Sequence, residues 1–347
     1  MLGFAIVGCG MIARFHARAL ADVAGTRLVA LVSRKVANAQ RMMREVCVTC
    51  DAYTDLKSVL SRRDVDVVIV TTPSGAHMET AVAAAEAGKH VIVEKPLEIT
   101  LERCDRIVDA CDRRGVKLCT IFPSRFGDAN QALKQAVDTG RFGRLTLGET
   151  TCKWWRPQSY YDEGGWKGTR ALDGGGALMN QAIHNVDLLS WTMGPVTHIY
   201  GLTAMLAHER IEVEDTAVAC LRFKNGALGV IQATTSVFPG LPKTIAVHGD
   251  KGTAVIEQDD LVRWEFTPES VEDRKIKERF AQKTGASGGS SNPAAISHVG
   301  HARQLADFVQ AVEAGRPPLV DGGEGRKAVE IILAIYQSAA TGRAVAL

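Results

Sequence analysis

The chain has 347 residues, enough for two domains of ordinary size, and its 46% hydrophobic and 23% charged residues are those of a globular protein, not a disordered or fibrous one. Lysine plus arginine number 41 against 39 for aspartate plus glutamate, so no basic surplus points to nucleic acid as a partner. No apolar run reaches membrane-spanning length, and no basic segment precedes the apolar start "MLGFAIVG", so neither a membrane span nor a signal peptide is expected.

The first 122 residues alternate apolar strands with helical stretches. Strands are predicted over Phe4–Val7, Leu28–Ser33, Val65–Val70, His90–Glu94 and Val116–Phe122, with a short one near Val46–Val48. Their apolar residues run on without alternation, as in strands buried on both faces of a parallel sheet. Between them lie helices such as "HMETAVAAAEAG", which should end at Gly88. The expected fold class is α/β, with a doubly wound parallel sheet over residues 1–122.

Four short segments follow strands of that sheet. After the first, Gly8-Cys9-Gly10-Met11-Ile12-Ala13 spells G-x-G-x-x-A at the entry to a helix. Gly8 suits the tight turn, and Gly10 lets a pyrophosphate approach the backbone. Met11 and Ile12 open a helix whose free N–H groups favour anions, and Ala13 allows close helix–strand packing. An ordinary tight turn can carry the same letters; the position at the start of a βαβ chain favours dinucleotide binding. After the second strand, NAD sites commonly hold an acid for the ribose hydroxyls. Here Ser33, Arg34 and Lys35 stand instead, which favours the 2′-phosphate of NADP and leaves NAD as the alternative. "TTPSGAH" then supplies Thr71, Thr72, Pro73 and His77, and "EKP" supplies Glu94 and Lys95. Ligands of such sheets bind outside the carboxyl ends of the strands, so these residues are expected to line one crevice.

Eight cysteines in a chain of this length do not read as a disulfide framework, and free thiols fit a cytoplasmic protein. Cys47 and Cys50 form one C-x-x-C. A zinc site needs two more ligands at comparable spacing, none is near in sequence, and no metal is expected.

From about residue 123 the rhythm changes. A helix over "DANQALKQAVDTG" is followed by a strand near "RLTLGETTCKWW", and a helix after "DGGG" should stop at Gly194-Pro195. Long strand-like runs follow in "VTHIYGLTAML", "DTAVACLRF", "ALGVIQATTSVF" and "TIAVHG", with Asn225-Gly226 as a hairpin turn. Residues 281–299 form a small-residue loop, and helices at about 301–314 and 324–341 close the chain. Residues 123–347 are thus expected to form an α+β domain on a mainly antiparallel sheet, whose last helices can pack back on the first domain. Both faces of its strands are largely apolar, so one face is expected to meet a second subunit in a homodimer or homotetramer.

The stretch "DGGGALMNQAIHNVD" gives up side chains at 174–176 and then places Asn180 and His184 four residues apart, on one helix face. In order and spacing, "GCGMIA", "TTPSGAH", "VIVEKP" and this stretch resemble the glucose–fructose oxidoreductase/inositol dehydrogenase (Gfo/Idh/MocA) family over essentially the whole chain. The resemblance implies a Rossmann domain, a second α/β domain with a large open sheet, and hydride transfer at a carbinol of a sugar, polyol or nucleotide sugar. It also implies that Lys95 and His184 are the catalytic lysine and histidine, and that Asn180 stands where many members have aspartate. An amide can orient a hydroxyl but cannot take up its proton, so that task falls to His184. On this reading the three glycines let cofactor and substrate lie against the helix start.

Arg125, together with Tyr160, Tyr161, Trp166, Lys167, Arg170 and Asp173 from "YYDEGGWKGTRALD", offers aromatic faces and cations suited to a polyhydroxylated or acidic sugar. Arg125, Tyr161, Trp166 and Arg170 are the substrate-binding candidates, besides Asn180 and His184. Two other functions remain open at this stage: an NAD-assisted glycoside-cleaving enzyme of the same fold, and a non-catalytic dinucleotide sensor, for which Lys95 and His184 would be superfluous.

Overall fold

The computed structural model describes residues 1–163, 165–281 and 297–347, so most of the loop expected over 281–299 lies outside the described residues. The chain divides into two compact units. The first holds residues 1–123, 171–174 and 297–329, and the second holds the rest. Residues 171–174 and 297–329 therefore join the first unit, apart from the division at 122 expected from sequence.

The first unit is built on a six-stranded parallel sheet: β1 (Leu2–Val7), β2 (Thr26–Val32), β3 (Asp51–Tyr53), β4 (Val67–Val70), β5 (His90–Val93) and β6 (Leu118–Thr120), in the order β3-β2-β1-β4-β5-β6. Nearly every residue of the central strands is buried, which is why their sequences run apolar without alternation. The strand order reverses between β1 and β4, where doubly wound sheets open a crevice. The final residues Val7, Val32, Val70 and Val93 pair across the sheet, so four strands end flush. The helix Val299–Glu313 adds Leu305, Phe308 and Val309 to this unit's core, beside Phe4, Ile6 and Ile92.

One strand lies elsewhere than expected. Residues 46–48 are not β3: Val46 ends the helix Val36–Val46, which buries Ala39 and Met42, and Cys47 closes it in a left-handed conformation with φ 54°. β3 forms after Cys50 and pairs with β2 through Ala30 and Asp51.

The second unit carries an eight-stranded sheet. Its strands are β7 (Leu145–Lys153), β8 (Val196–Ala204), β9 (Thr216–Phe223), β10 (Leu228–Thr234), β11 (Thr244–Gly249), β12 (Gly252–Glu257), β13 (Asp260–Phe266) and β14 (Val345–Ala346). The order is β13-β12-β11-β7-β10-β9-β8-β14, and the β7–β10 pairing is parallel while the others are antiparallel. β12 and β13 were not anticipated from sequence. Asp260, Arg263 and Glu265 break the apolar pattern of β13, which buries only Trp264 and Phe266. Along β9, Ala217, Ala219, Leu221 and Phe223 face inward, and Val218 and Cys220 face out.

After Gly176 the chain forms a π-helical turn, Ala177–Ala182, which continues as the α-helix Ile183–Met193 and stops at Gly194 as the sequence signals. Wide turns of this kind inside helices recur at functional sites.

Candidate active site

In the first unit, the glycine motif sits at the end of β1. Gly8 has φ +103°, and a Cβ there would lie 2.6 Å from the Thr71 carbonyl oxygen, so only glycine fits. The Thr71 hydroxyl donates to the Val7 and Gly8 carbonyls at 3.0 and 2.7 Å, which ties the loop after β4 to the loop after β1. Gly10 differs from Gly8: a Cβ there would meet nothing within 4 Å. It precedes the helix Met11–Ala21, whose start has no side-chain cap and no acid in its first turn. An uncapped, acid-free helix N-terminus beside open backbone fits a pyrophosphate. Ala13 is fully buried, as close helix packing requires. Arg34 and Lys35 are exposed beyond β2, just ahead of the next helix.

Of residues 91–98, Lys95 alone is not buried. Its peptide bond to Pro96 is cis. His77, expected among the cofactor contacts, is instead almost fully buried, with its ring nitrogens 2.9 Å from the Pro96 carbonyl and 3.0 Å from the Thr72 carbonyl. It braces the loop after β4 against the loop after β5. Burial pushes its pKa down, while the Glu98 and Glu94 charges and the two carbonyl acceptors push it up.

Glu94, also expected among the cofactor contacts, has its carboxylate engaged within the protein. It is buried, its carboxylate lies 2.7 Å from His16 Nε2, and it accepts the Lys95 amide at 3.1 Å. Burial alone would push the carboxyl up, but the His16 hydrogen bond and the charges of His16, His301 and Lys95 hold it down at about 2. His16, Glu94 and His301 place three potential metal-ligand atoms within 4.8 Å of one another, a cluster that the expectation of no metal did not foresee. Metal-ligating imidazoles are usually oriented through their second nitrogen. Here neither Nδ1 has a hydrogen-bond partner, and one Nε2 is already engaged with the carboxylate. The geometry is that of a buried hydrogen-bonded cluster.

In the second unit, every residue from 175 to 189 is buried except Asn180 and His184. Asn180 lies in the π-helical turn and His184 in the first turn of the α-helix that follows, so the shared face expected from i,i+4 spacing crosses a junction between two helix types. A chain of polar groups backs Asn180. Its side-chain oxygen accepts from the Gln181 amide at 3.0 Å, and the Gln181 oxygen accepts from Arg156 at 2.9 Å. The Gln181 amide also donates to the Tyr160 hydroxyl at 3.0 Å, and the Lys167 ammonium lies 3.7 Å from the Tyr160 ring centroid. Arg156 is buried between the rings of Trp154 and Tyr160, and burial pushes its pKa down.

The three glycines have a different cause from the one expected. A Cβ at Gly174 would strike Ile99 at 2.3 Å, one at Gly175 the Tyr336 hydroxyl at 2.2 Å, and one at Gly176 the Glu214 carbonyl oxygen at 1.7 Å. The protein itself fills the space that the missing side chains leave.

Three of the substrate-binding candidates are engaged structurally. Arg125 is buried and makes a two-pronged bond to Asp187 at 2.9 and 2.6 Å. Tyr161 is buried with its hydroxyl 2.9 Å from that of Thr235. Arg170 is exposed and bonded to Glu212 through its amide at 2.8 Å and its Nε at 3.0 Å. Trp166 is half-buried in the loop before the helix. Arg156, Gln181, Glu214 and Tyr336 were missed. Only Arg156, set among aromatics in "KWWRPQ", carried a local signal.

A family profile described as "Oxidoreductase family, NAD-binding Rossmann fold" matches residues 2–122, and one described as "GFO/IDH/MocA C-terminal domain" matches residues 130–255. The chain is 29% identical to myo-inositol 2-dehydrogenase of Thermotoga maritima, over 99% of this chain and 97% of that protein. Among solved structures it is similar to the WlbA dehydrogenase of Bordetella pertussis in complex with NADH and UDP-GlcNAcA, with TM-score 0.90 and 35% identity over 100% of this chain and 97% of that one. The WlbA protein of Chromobacterium violaceum, solved with the same two ligands, gives TM-score 0.88 and 34% identity over 100% and 96%.

Proposed function

The chain belongs to the Gfo/Idh/MocA family of NAD-binding oxidoreductases, and from that premise we propose that it transfers a hydride between a nicotinamide dinucleotide and a carbinol carbon of a sugar, polyol or nucleotide sugar. The observation that carries the reading is the pair of interruptions in buried sequence. Lys95 breaks one buried run, and Asn180 with His184 breaks another; these three polar groups are the ones the proposed chemistry uses. The open backbone at Gly10 and the acid-free helix start fit a dinucleotide, with Gly8, Met11, Ile12, Thr71, Thr72 and Pro73 beside them. The nicotinamide, when bound, supplies the hydride acceptor or donor.

In the proposed chemistry His184 takes the proton of the hydroxyl being oxidised, and Lys95 serves the same proton transfer with its ammonium. Asn180 orients the hydroxyl through its amide and takes no proton. The buried cation of Arg156 and the Lys167–Tyr160 pair, behind Asn180, favour a substrate carrying an anionic group.

Three finer statements belong to the same reading. The acid-free turn at Ser33, Arg34 and Lys35 supports NADP over NAD, although both WlbA proteins were solved with NADH. The exposed apolar face of the large sheet supports a homodimer or homotetramer. Eight free cysteines support a cytoplasmic location; among the described residues no helix is long and apolar enough to cross a membrane.

The test is a panel of UDP-GlcNAcA, myo-inositol and levoglucosan, each offered with NAD and with NADP and followed by nicotinamide absorbance. Reduction with at least one member supports the reading. Substrate cleavage with no net reduction, from a retained cofactor, would replace it with the glycoside-cleaving alternative.

A further inference from the structure

We infer that Glu214 is a positioning residue, which holds the first turn of the site helix and thereby sets where Asn180 and His184 stand. The inference rests on the reading of those two residues given above. Three successive amides open that helix, and all three are bound by Glu214. Its Oε2 accepts from Gly176 at 2.9 Å, its main-chain carbonyl from Ala177 at 3.0 Å, and its Oε1 from Leu178 at 2.8 Å. The helix start has no side-chain cap of its own and no acid in its first turn, so Glu214 reaches in from the segment before β9 to do both tasks.

The grip is also steric. The Glu214 carbonyl occupies the space of a Gly176 side chain, and the Tyr336 hydroxyl occupies that of Gly175. Tyr336 in turn donates to Glu214 Oε1 at 2.9 Å, from the helix Gly322–Thr341. The helix start is thus clamped in a mould made by two side chains remote in sequence, and Asn180 and His184 follow within two turns. Glutamine could supply one acceptor oxygen in place of two, and its NH₂ would face donors.

A carboxylate is a costly choice here if holding the fold is the whole purpose. Burial pushes the Glu214 carboxyl up to about 7, despite three hydrogen bonds that favour its ionised form. Tyr336 faces it, and burial pushes that phenol's pKa well up, so it stays neutral, able to donate or accept. The adjacent Asp215 carboxylate turns the other way, to the amides of Leu206, Ala207 and His208 and to the His208 ring. A proton on the Oε2 of Glu214 puts an O–H against the Gly176 amide donor, and that bond to the helix start is lost. As the pH falls through about 7, the clamp on Asn180 and His184 should loosen.

The experiment compares wild type, Glu214→Gln, Tyr336→Phe and His184→Ala. Turnover is followed from pH 5.5 to 9 with UDP-GlcNAcA and with myo-inositol as probes, and the His184 imidazole resonance is titrated by NMR without substrate. Tyr336→Phe removes one donor to the carboxylate, so it should move the acid limb of kcat to higher pH and shift the His184 resonance over the same range. Glu214→Gln should lower kcat about 10- to 100-fold with dinucleotide affinity within twofold of wild type. Unchanged kcat profiles and an unmoved His184 resonance in both clamp variants would overturn the inference. If neither probe is turned over, or Glu214→Gln does not fold, the resonance in Tyr336→Phe decides alone. Full turnover in His184→Ala would instead overturn the underlying reading of the site, whatever the clamp variants do.

Discussion

The Asn180 side-chain oxygen accepts a hydrogen bond from the Gln181 amide at 3.0 Å, which fixes which end of the Asn180 amide is which. In the proposed chemistry the NH₂ group of Asn180 is the donor to the substrate hydroxyl. A donor aimed at a substrate hydroxyl binds its oxygen and leaves the proton to another group. Asn180→Ala should therefore lower turnover about tenfold, a loss of one hydrogen bond, without moving the pH profile. Asn180→Asp should retain the Gln181 contact and add a group that titrates, so its profile should gain a second ionisation. An unaltered profile in the aspartate variant would show that position 180 does not face the reacting hydroxyl.

Arg34 and Lys35 test cofactor choice. Hydrogen bonds to charged groups contribute about 1.5–3 kcal/mol each. Replacing either residue with alanine should weaken NADP about tenfold or more and NAD much less, as read by titration calorimetry or fluorescence. Tighter binding of NAD than NADP by the native protein would make the turn a solvated loop and nothing more.

Two buried glutamates should affect stability with opposite signs. Glu94 is held at about 2, below the ordinary 4.5, so its contribution is fully present above 4.5 and is lost as the pH falls towards 2. Glu214 is pushed up to about 7, so the folded state binds the extra proton, and stability falls as the pH rises from 4.5 to 7. Each effect is on the order of a few kcal/mol at most. Melting temperature against pH should lose its acid limb in Glu94→Gln. In Glu214→Gln the decline between 4.5 and 7 should flatten. Parallel curves for wild type and both variants would contradict these assignments.

On the large sheet, Tyr200, Leu202, Val218 and Leu228 are 44%, 56%, 44% and 51% exposed, on the face away from the buried residues of β8, β9 and β10. Apolar side chains gathered on one face of a sheet are best covered by a second copy. Light scattering at micromolar concentration should give a dimer or tetramer, and Val218→Glu should reduce its mass. A native monomer would refute the proposal.

The parallel sheet was legible because its strands are uniformly apolar and its motifs follow strand ends. Lys95, Asn180 and His184 stood out in their motifs, and each is less buried than its neighbours, while the equally polar Gln181, Asn185 and Asp187 are buried. What the sequence concealed depends on partners distant along the chain. For His77 and Glu94 the sequence did not show their side-chain partners, the Pro96 and Thr72 carbonyls and His16. The glycines at 174–176 look like room for a ligand until Ile99, Tyr336 and Glu214 are placed against them. The i,i+4 spacing of Asn180 and His184 gave no sign of the π-helical turn that carries Asn180, nor of Glu214, which lies 38 and 36 residues from the Gly176 and Leu178 amides it binds.

The central claim is that His184 and Lys95 serve one proton transfer, and turnover of the single and double alanine variants tests it most directly. A positioned base is worth about 10²–10⁴ in rate. His184→Ala and Lys95→Ala should each lower kcat by that order on the best substrate of the panel, with dinucleotide affinity nearly unchanged, and the double variant should lose little more than either single one. Melting temperature is measured on the same preparations. A His184→Ala protein that melts earlier yet turns over at the native rate would contradict the account, and so would losses in the two single variants that multiply in the double.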